Sequence, residues 1–479
     1  YLIWGSTIDP LTTMASPIEI NLGSTIVTTV TNATNRTWKI VEKTITDIGN
    51  VKISIPAASL ASLPALSGNS AYVLIIADDA NFTTNIETIF LNAVSTNLEA
   101  VYNFNGTKYM KIGVAEEIIA SRHIKFDGTD DYVRFNDIPV VNSAFSISAW
   151  VNGEGSNSSN NDKTIVSKKG STQTSYHFLI DNTNKVVMRF NNGTTTSEIV
   201  SNTALNSNQW RNVTFTLDGS NVGRLYIDGV LDVQTNMNAR TDISNVFVIG
   251  ARYVNESSTV DFFKGKLDEI RIWNSALTAS EIRFVMNQEI EQGIGNTVSG
   301  KIIPSTITKN DISSKTWTSD IFAYFNLNNY IGTSLNDASG KKLRGNLSNY
   351  TRYTIEEQTA PLPYVSAANA TWDSSSAWTN GTEMYYPNSS LTINSIPTKI
   401  DWNIIKTAHN VTSVGNKTLL AVIVDNNTLE IDNDSKLEVS HYLKIHGKID
   451  LTGKSQLIQT TDSDLDPSGT GILERAQQG

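Results

Sequence analysis

The sequence has 479 residues, too many for one hydrophobic core and enough for roughly two to four domains. Hydrophobic residues make up 39% and charged residues only 18%, so packed cores are expected, with a polar complement dominated by Asn, Thr and Ser. A net charge of −10 leaves no electrostatic footprint for nucleic acid or anionic membrane, and the absence of cysteine removes disulfides, thiolate metal sites and cysteine nucleophiles.

The densest basic cluster, Lys341, Lys342 and Arg344, is short and lacks interleaved aromatics. No apolar run approaches the roughly 20 residues that span a bilayer, so no membrane insertion is expected. No secretory signal opens the chain. Tyr1 begins inside a strand-like stretch and the tail stops without a closing element. The chain is therefore expected to be a fragment whose export signals lie outside it.

Short runs of Val, Ile, Thr, Tyr and Phe, separated by Asn, Gly and Asp, predict an all-β, multidomain chain. Residues 1–118 read as an antiparallel sandwich lacking its start. Arg36–Val41 and Val51–Ile55 alternate polar and apolar residues, and Ala71–Ala77 is apolar throughout, as a central strand buried on both faces would be. Residues 121–292 carry the sharpest pattern: Ile124–Gly128, Tyr132–Phe135, the strictly alternating Phe145–Val151, Tyr176–Ile180, Val186–Phe190, Gln209–Phe215, Arg224–Val230 and Lys266–Trp273. Thr278-Ala279-Ser280-Glu281 then forms a capping box, opening a helix with Ile282, Val285, Met286 and Ile290 on one face.

Residues 293–364 form a β-rich connection. Residues 365–479 give triplet strands at short intervals: Leu419–Val424, Leu429–Ile431, Leu437–Val439, Leu443–Ile445, Ile449–Leu451 and Gln456–Ile458. Asn-Asp or Gly-Lys turns between them suggest rungs of a parallel β-helix, with a sandwich as the alternative. Thr371-Trp372-Asp373 and Ala377-Trp378 suggest its N-terminal cap.

Phe126-Asp127-Gly128, Asp131-Tyr132-Val133, Phe145–Trp150, Gln209-Trp210, Leu225–Gly229 and Leu267–Trp273, in that order, resemble the laminin-G-like, concanavalin-A-like lectin family over about 170 residues. That resemblance implies a jelly-roll sandwich that binds carbohydrate. One feature departs from the family. Its usual opening strand and Asp-x-Ser-Gly turn occur only later, at Ala323–Leu327 and Asn336–Gly340, either opening a second degenerate repeat or packing back onto the first domain. Residues 1–118 and the tail from Leu443 resemble modules of bacterial surface proteins exported by type IX secretion. This implies an extracellular, cell-surface location and contact with the type IX translocon and outer-membrane surface during export.

Catalytic residues are expected to be none. Glycosidases need two carboxylates that reach one bond, and the only tempting pair, Asp268-Glu269, consists of strand neighbours expected to point to opposite faces, with Asp268 beside Ile270 and Ile272. No histidine has metal-ligand spacing, and His441 and His446 read as surface rung residues. Asp127, Asp130 and Asp131 cluster in a turn. With Asp268, at an acidic position of the closing strand, Asp127 and Asp131 can form a structural Ca²⁺ site, or else shape a turn and face water. Asp462–Asp466 mimics an EF-hand start, but Pro467 replaces the required Gly.

For carbohydrate binding, the candidate loops are Asn152–Lys163 and Ala251–Phe263, with Tyr253 and Phe262 as stacking platforms and Phe263 in the core. Trp150, Trp210 and Trp273 read as core. The expected function is a non-catalytic adhesin segment binding carbohydrate or surface ligands; a structural stalk, or the accessory region of a secreted glycoside hydrolase, is the alternative.

Overall fold

The computed structural model of the chain describes residues 1–22, 26–43, 47–155, 162–169, 174–191, 193–243, 245–255, 258–349 and 355–475, the Asp137 side chain excepted. Strands make up 52% and helices 5%, so strand pairing sets the architecture: antiparallel sandwiches followed by a parallel β-solenoid, as expected. Among the described residues no helix is long and apolar enough to cross a membrane.

In the N-terminal unit, Ala71–Ala77 pairs with Thr107–Ala115 and Glu87–Phe90. Leu74 and Ile76 face a core shared with Ile53, Leu98 and Phe104, across the smaller sheet of Val51–Pro56 and Asn97–Tyr102. Val73 and Ile75 face the other way, into a hydrophobic cluster that continues to Phe126 and Phe135 of the next unit. An apolar run without alternation is what burial on both faces demands.

The central unit is a two-sheet sandwich. The covered sheet runs through Val222–Ile227, Arg211–Leu217, Phe145–Gly153, Lys264–Trp273 and Arg122–Asp127. The open sheet runs through Arg344–Ser348, Tyr132–Ile138, Asn245–Ile249, Lys163–Lys169, Thr174–Ile180, Lys185–Asn191 and Thr196–Ala204. Phe126, Phe135, Phe145, Phe215, Phe247 and Phe325 fill the space between them, all at most 2% exposed. Each such ring contributes on the order of 1.5–3 kcal/mol by leaving water. Gly250, with φ +83°, lies where a Cβ would come within 2.2 Å of the Phe126 ring.

Residues 293–364 pack back onto this sandwich rather than opening a repeat. Ile321–Phe325 joins the covered sheet beside Lys264–Trp273, and Ile355–Glu357 extends it beside Arg122–Asp127. Arg344–Ser348 joins the open sheet beside Tyr132–Ile138, and the hairpin Asn329–Ile331/Ser334–Asn336 extends that sheet toward the N-terminal unit. Asp337 of the Asp-x-Ser-Gly turn accepts the Tyr324 and Ser339 N–H groups at 2.8 and 3.1 Å, fixing the entry of that strand.

The helix Ala279–Met286 has its capping box, with the Thr278 N–H donating to Glu281 at 2.7 Å. It buries Phe284 as well as Ile282, Val285 and Met286, and Ile290 falls in the strand that follows it.

Residues 364–475 settle as the solenoid. Val411, Leu429, Ile449 and Leu473 stack in parallel register, one rung every 18 to 24 residues. Trp372 and Trp378 lie at its first turn, edge to face at 5.1 Å. His441 is buried rather than superficial, within 3.1 Å of Asp311. Asp464 is taken up by the Thr308 N–H and hydroxyl at 2.7 and 2.9 Å, so the EF-like string is a turn tied to the preceding segment.

The closing strand departs from simple alternation. Ser148 pairs with Arg271 but Trp150 pairs with Asp268, so one extra residue is inserted, and Glu269 takes φ +50°. This β-bulge corrects the expectation that Asp268 shares a face with Ile270 and Ile272. Leu267, Ile270 and Ile272 face the sandwich interior. Asp268, Glu269 and Arg271 are all buried on the other side, under the helix. There Arg271 donates to the Glu269 carboxylate, the Val285 carbonyl at 2.7 Å and the Gln288 carbonyl at 2.6 Å, while the Tyr324 hydroxyl donates to Glu269 at 2.8 Å.

Replacing Arg271 by Met leaves a buried carboxylate without its cation. The expected loss is about 3–5 kcal/mol, and adding Glu269→Gln should recover most of it. Denaturant unfolding of the intact chain, followed by tryptophan fluorescence, measures both; equal stability of single and double variants would contradict the assignment.

Candidate functional site

Which sandwich face is free follows from what covers the other. Phe145–Ala149, Arg211–Leu217 and Leu267–Trp273 are buried on both faces. The Trp150 indole donates to the Met286 carbonyl at 2.7 Å, Trp210 to Thr359 at 2.9 Å, and Trp402 reaches back to the Asp228 carbonyl at 2.9 Å. Trp150 and Trp210 are core residues, as expected, but the core they belong to is shared with Trp372 and Trp378 of the solenoid.

The open sheet presents a row of outward side chains across its strands. Arg134 lies opposite Val248, then come Ser167, His177, Arg189 and Glu198. A hairpin, Arg252–Asn255 with Ser258–Val260, folds back over the middle of this row. The Ser167 hydroxyl donates to the Ala251 carbonyl at 2.9 Å and seats it.

Of Tyr253 and Phe262, expected as platforms for a ligand, Tyr253 serves this seating instead. Tyr253 is only 8% exposed and packs with Val246, Val248 and Ala251, with Tyr132 and Phe262 against the same cluster. The Arg134 guanidinium covers its ring at 5.2 Å. An aromatic on a hairpin that lies flat on a sheet gains more by burying its ring than by facing water, so the stacking role is withdrawn for Tyr253. Phe262 is half-buried against Tyr132, with ring centroids 6.3 Å apart. Phe263 is in the core, as expected.

The hairpin divides the open face into two depressions. One, of about 570 Å³, is lined by Asp162, Lys169, His177, Arg189, Arg252 and Asp261. Arg252 pairs with Asp261 at 2.5 Å, and Arg189 with Glu198 at 2.5 Å and Asp162 at 3.4 Å. Lys169 has no ion-pair partner among the described residues, and burial, with Arg252 nearby, holds its ammonium below the usual lysine range. His177 is held well below its usual range by burial and donates to or accepts from Thr164 at 2.9 Å, so its ring is neutral. Asp162, Arg252 and Asp261 come from the two loops singled out by sequence; residues 156–161 and 256–257 of those loops lie outside the described residues. Lys169, His177 and Arg189 were not singled out. Their signal is period-two alternation, which places them outward along Lys163–Lys169, Thr174–Ile180 and Lys185–Asn191. The other depression lies against the N-terminal unit.

At the end of the open sheet, carboxylate oxygens of Asp127, Asp130 and Asp131 lie within 4.8 Å of one another. Asp127 accepts the Thr129 and Asp130 N–H groups at 2.7 and 3.3 Å, and Asp131 Oδ2 accepts the Asp127 N–H at 3.1 Å. Asp131 is 2% exposed and its Oδ1 is buried without a hydrogen-bond partner. Burial, with the Asp127 charge beside it, pushes its carboxyl up to about 7. Clustered hard oxygens with one orphaned acceptor fit a calcium ion.

Asp268 does not join them. Asp127 pairs with Lys264, so Asp268 sits four residues along that strand, about 13 Å away at 3.3 Å per residue. Its carboxyl accepts the Gln358 side-chain amide and the Glu269 N–H instead. Of the set expected from sequence, Asp127 and Asp131 lie together, with Asp130 beside them, and Asp268 lies apart.

Residues 127–283 match the family described as the Concanavalin A-like lectin/glucanases superfamily, and residues 1–108 match a domain of unknown function (DUF8202). No curated protein sequence matches the chain. Among solved structures, the chain is similar to a candidate carbohydrate-binding protein of Bacteroides ovatus, at 14% identity, covering 67% of this chain and 95% of that one, with a TM-score of 0.36. It is similar to a heptameric SAP-like pentraxin of Limulus polyphemus, at 15% identity over 44% and 94% of the two chains, with a TM-score of 0.30. It is also similar to domain 4 of an extracellular arabinanase of Geobacillus stearothermophilus in complex with arabinotriose, at 18% identity over 44% and 85%, with a TM-score of 0.27.

The matched superfamily holds glucanases as well as lectins, which makes access to the Asp268–Glu269 pair decisive for that pair. Both side chains are buried, Glu269 against Arg271 and Tyr324 and Asp268 against Gln358, and neither lines either depression. Burial, with the Glu269 charge beside it, pushes the Asp268 carboxyl well above the usual carboxylate range. An unfolded chain releases that proton near pH 4. The folded chain holds it longer, so the contribution to stability is full below about pH 4 and is lost as pH rises through the folded pKa. Asp268→Asn should therefore flatten the decline in melting temperature above pH 4; an unchanged pH profile would show that Asp268 is ionised in the fold.

Proposed function

We propose that this chain is a non-catalytic, extracellular segment of a large bacterial cell-surface protein, an adhesin that binds carbohydrate through its laminin-G-like sandwich. The observation that carries this reading is the open sheet. It is the sandwich face left uncovered by the helix and solenoid, and its charged groove sets Lys169 and Arg189, outward on strands, beside Asp162 and Asp261 from the adjoining loops. Lys169, without an ion-pair partner among the described residues and beside two paired arginines, favours a saccharide bearing a carboxylate, since such an anion meets charge-assisted donors. The stacked β-units and the solenoid suit an elongated array. Type IX export, with its translocon and the outer-membrane surface as transient partners, rests on the resemblance of residues 1–118 and the tail to modules of such proteins.

Calcium is proposed as a structural ion held by Asp127, Asp130 and Asp131. A cation bound only by the folded sandwich stabilises it by mass action, about 2.7 kcal/mol at a hundred times the dissociation constant. Saturating Ca²⁺ should thus raise the melting temperature of the parent chain by about 5 °C or more and leave Asp131→Asn unmoved. Identical parent curves in calcium and in chelator remove the ion from the proposal.

The saccharide reading is tested by glycan-array and calorimetric binding of the intact chain in calcium. A uronate- or sialate-bearing glycan should bind, and Lys169→Ala should weaken it about tenfold. If no glycan or cell surface binds, the chain is a stalk or the accessory region of a hydrolase.

A further inference from the structure

We propose that the depression between the N-terminal unit and the open sheet is a second, separate binding site, for an uncharged oligosaccharide, and that residues 1–118 supply one of its walls. It is a cleft of about 960 Å³, within the range of preformed ligand sites. Asn50, Tyr102 and Asn103 line it from the N-terminal unit; Tyr132, Asn136 and Asn346 line it from the sandwich.

The two walls are held at a fixed distance. The Thr88 N–H donates to the Thr333 hydroxyl at 2.8 Å and the Thr333 N–H donates to the Thr88 hydroxyl at 2.9 Å, a reciprocal clasp at the edge of the cleft. The Thr28 hydroxyl donates to the Gly332 carbonyl at 3.0 Å. Gly332 has φ +56°, and a Cβ there would come within 2.2 Å of Thr88, so the approach requires glycine. The Arg344 guanidinium lies 4.5 Å from the Phe90 ring, and the hydrophobic cluster is continuous from Val73 to Phe135. A site whose walls are packed together does not have to be assembled by its ligand.

The chemistry of the lining selects the ligand class. The Asn50 and Asn136 carboxamides have no hydrogen-bond partner among the described residues. Asn103 donates its Nδ2 to Asp47 at 2.8 Å and keeps its oxygen; Asn346 accepts from Ser334 at 3.0 Å and keeps its amide donors. A carboxamide offers donor and acceptor side by side, which matches hydroxyls that both donate and accept. Tyr102 and Tyr132, both half-buried, add apolar edges to the lining.

Charge excludes the other classes. The lining carries one arginine, Arg134, stacked on Tyr253, and one glutamate, Glu87, bonded to the Tyr102 hydroxyl. The two cancel, so a phosphate or uronate finds no surplus cation, in contrast to the Lys169 groove. A lipid or apolar peptide would leave the amides unpaired, at about 1–3 kcal/mol each.

The test titrates the intact chain with cellohexaose, xylohexaose, mannohexaose and laminarihexaose, and separately with hexagalacturonate. At least one neutral hexasaccharide should bind, and Asn103→Ala and Asn136→Ala should each weaken it about tenfold, while Lys169→Ala leaves it unchanged. Both asparagines are exposed, and an unshifted melting temperature confirms that the variants fold. The proposal is overturned if no neutral hexasaccharide binds at millimolar concentration, if only one wall matters, or if Lys169→Ala abolishes the neutral binding. Hexagalacturonate bound through Lys169 without any neutral binding would sink the cleft and leave the charged groove standing.

Discussion

The arrangement of this chain depends on one buried guanidinium. Arg271 sits in the closing strand, out of water, and a charge there is tolerable only with acceptors around it. Its partners come from separate stretches: Glu269 from the bulge of its own strand, the Val285 carbonyl from the helix and the Gln288 carbonyl from the turn after it. Glu269 in turn takes the Tyr324 hydroxyl. One cation thereby fixes the helix over the covered sheet and ties in the strand that arrives some fifty residues later. With the helix in place, Trp150 can donate to Met286 and the solenoid cap can close over Trp210.

That closure leaves the open sheet as the face on which the proposed binding would occur. With one face of the sandwich occupied by helix and solenoid, polar side chains that alternate outward on the other face are the ones left to meet a ligand. The hairpin at Tyr253 then does more than fill space. By lying across the row from Arg134 to Glu198 it separates a charged groove from a neutral cleft, and its Tyr253 ring is consumed in holding it there. The same ring that gives up contact with a sugar keeps Arg134 stacked and out of competition, which leaves the cleft without a surplus charge.

Much of this was legible in the sequence, because period-two alternation and turn residues mark where strands run and where they end. The Phe145–Val151 alternation, the unbroken run Ala71–Ala77, the Thr278–Glu281 capping box and the solenoid triplets all mark elements that form where expected. Other features leave no local trace. A bulge at a non-glycine residue turned Asp268 away from Ile270 and Ile272, and nothing in the string Leu267–Trp273 announces Glu269 at positive φ. The late Ala323–Leu327 motif announced a strand, but only three-dimensional pairing shows that it completes the sheet begun at Arg122. Exposed aromatics are equally ambiguous in one dimension: Tyr253 on a polar loop reads as a platform, and becomes packing only once the hairpin is folded flat. The groove residues Lys169, His177 and Arg189 had a signal in alternation, yet it required knowing which face would stay open.

The acidic cluster connects these levels. Asp131 is followed directly by Tyr132, a residue of the neutral cleft, and the Asp130 carbonyl accepts the Asn349 side-chain amide at 2.9 Å, with Asn349 at the same rim. Ser348 pairs with Tyr132 across the two strands that carry this rim. A cation that neutralises Asp127, Asp130 and Asp131 would therefore stiffen the strand start from which one cleft wall departs. Linkage makes the effect mutual: whatever factor the cation adds to saccharide affinity, the saccharide adds to cation affinity. The carboxylate with an orphaned oxygen would in this sense be the point at which the proposed ion and the proposed saccharide share one piece of backbone.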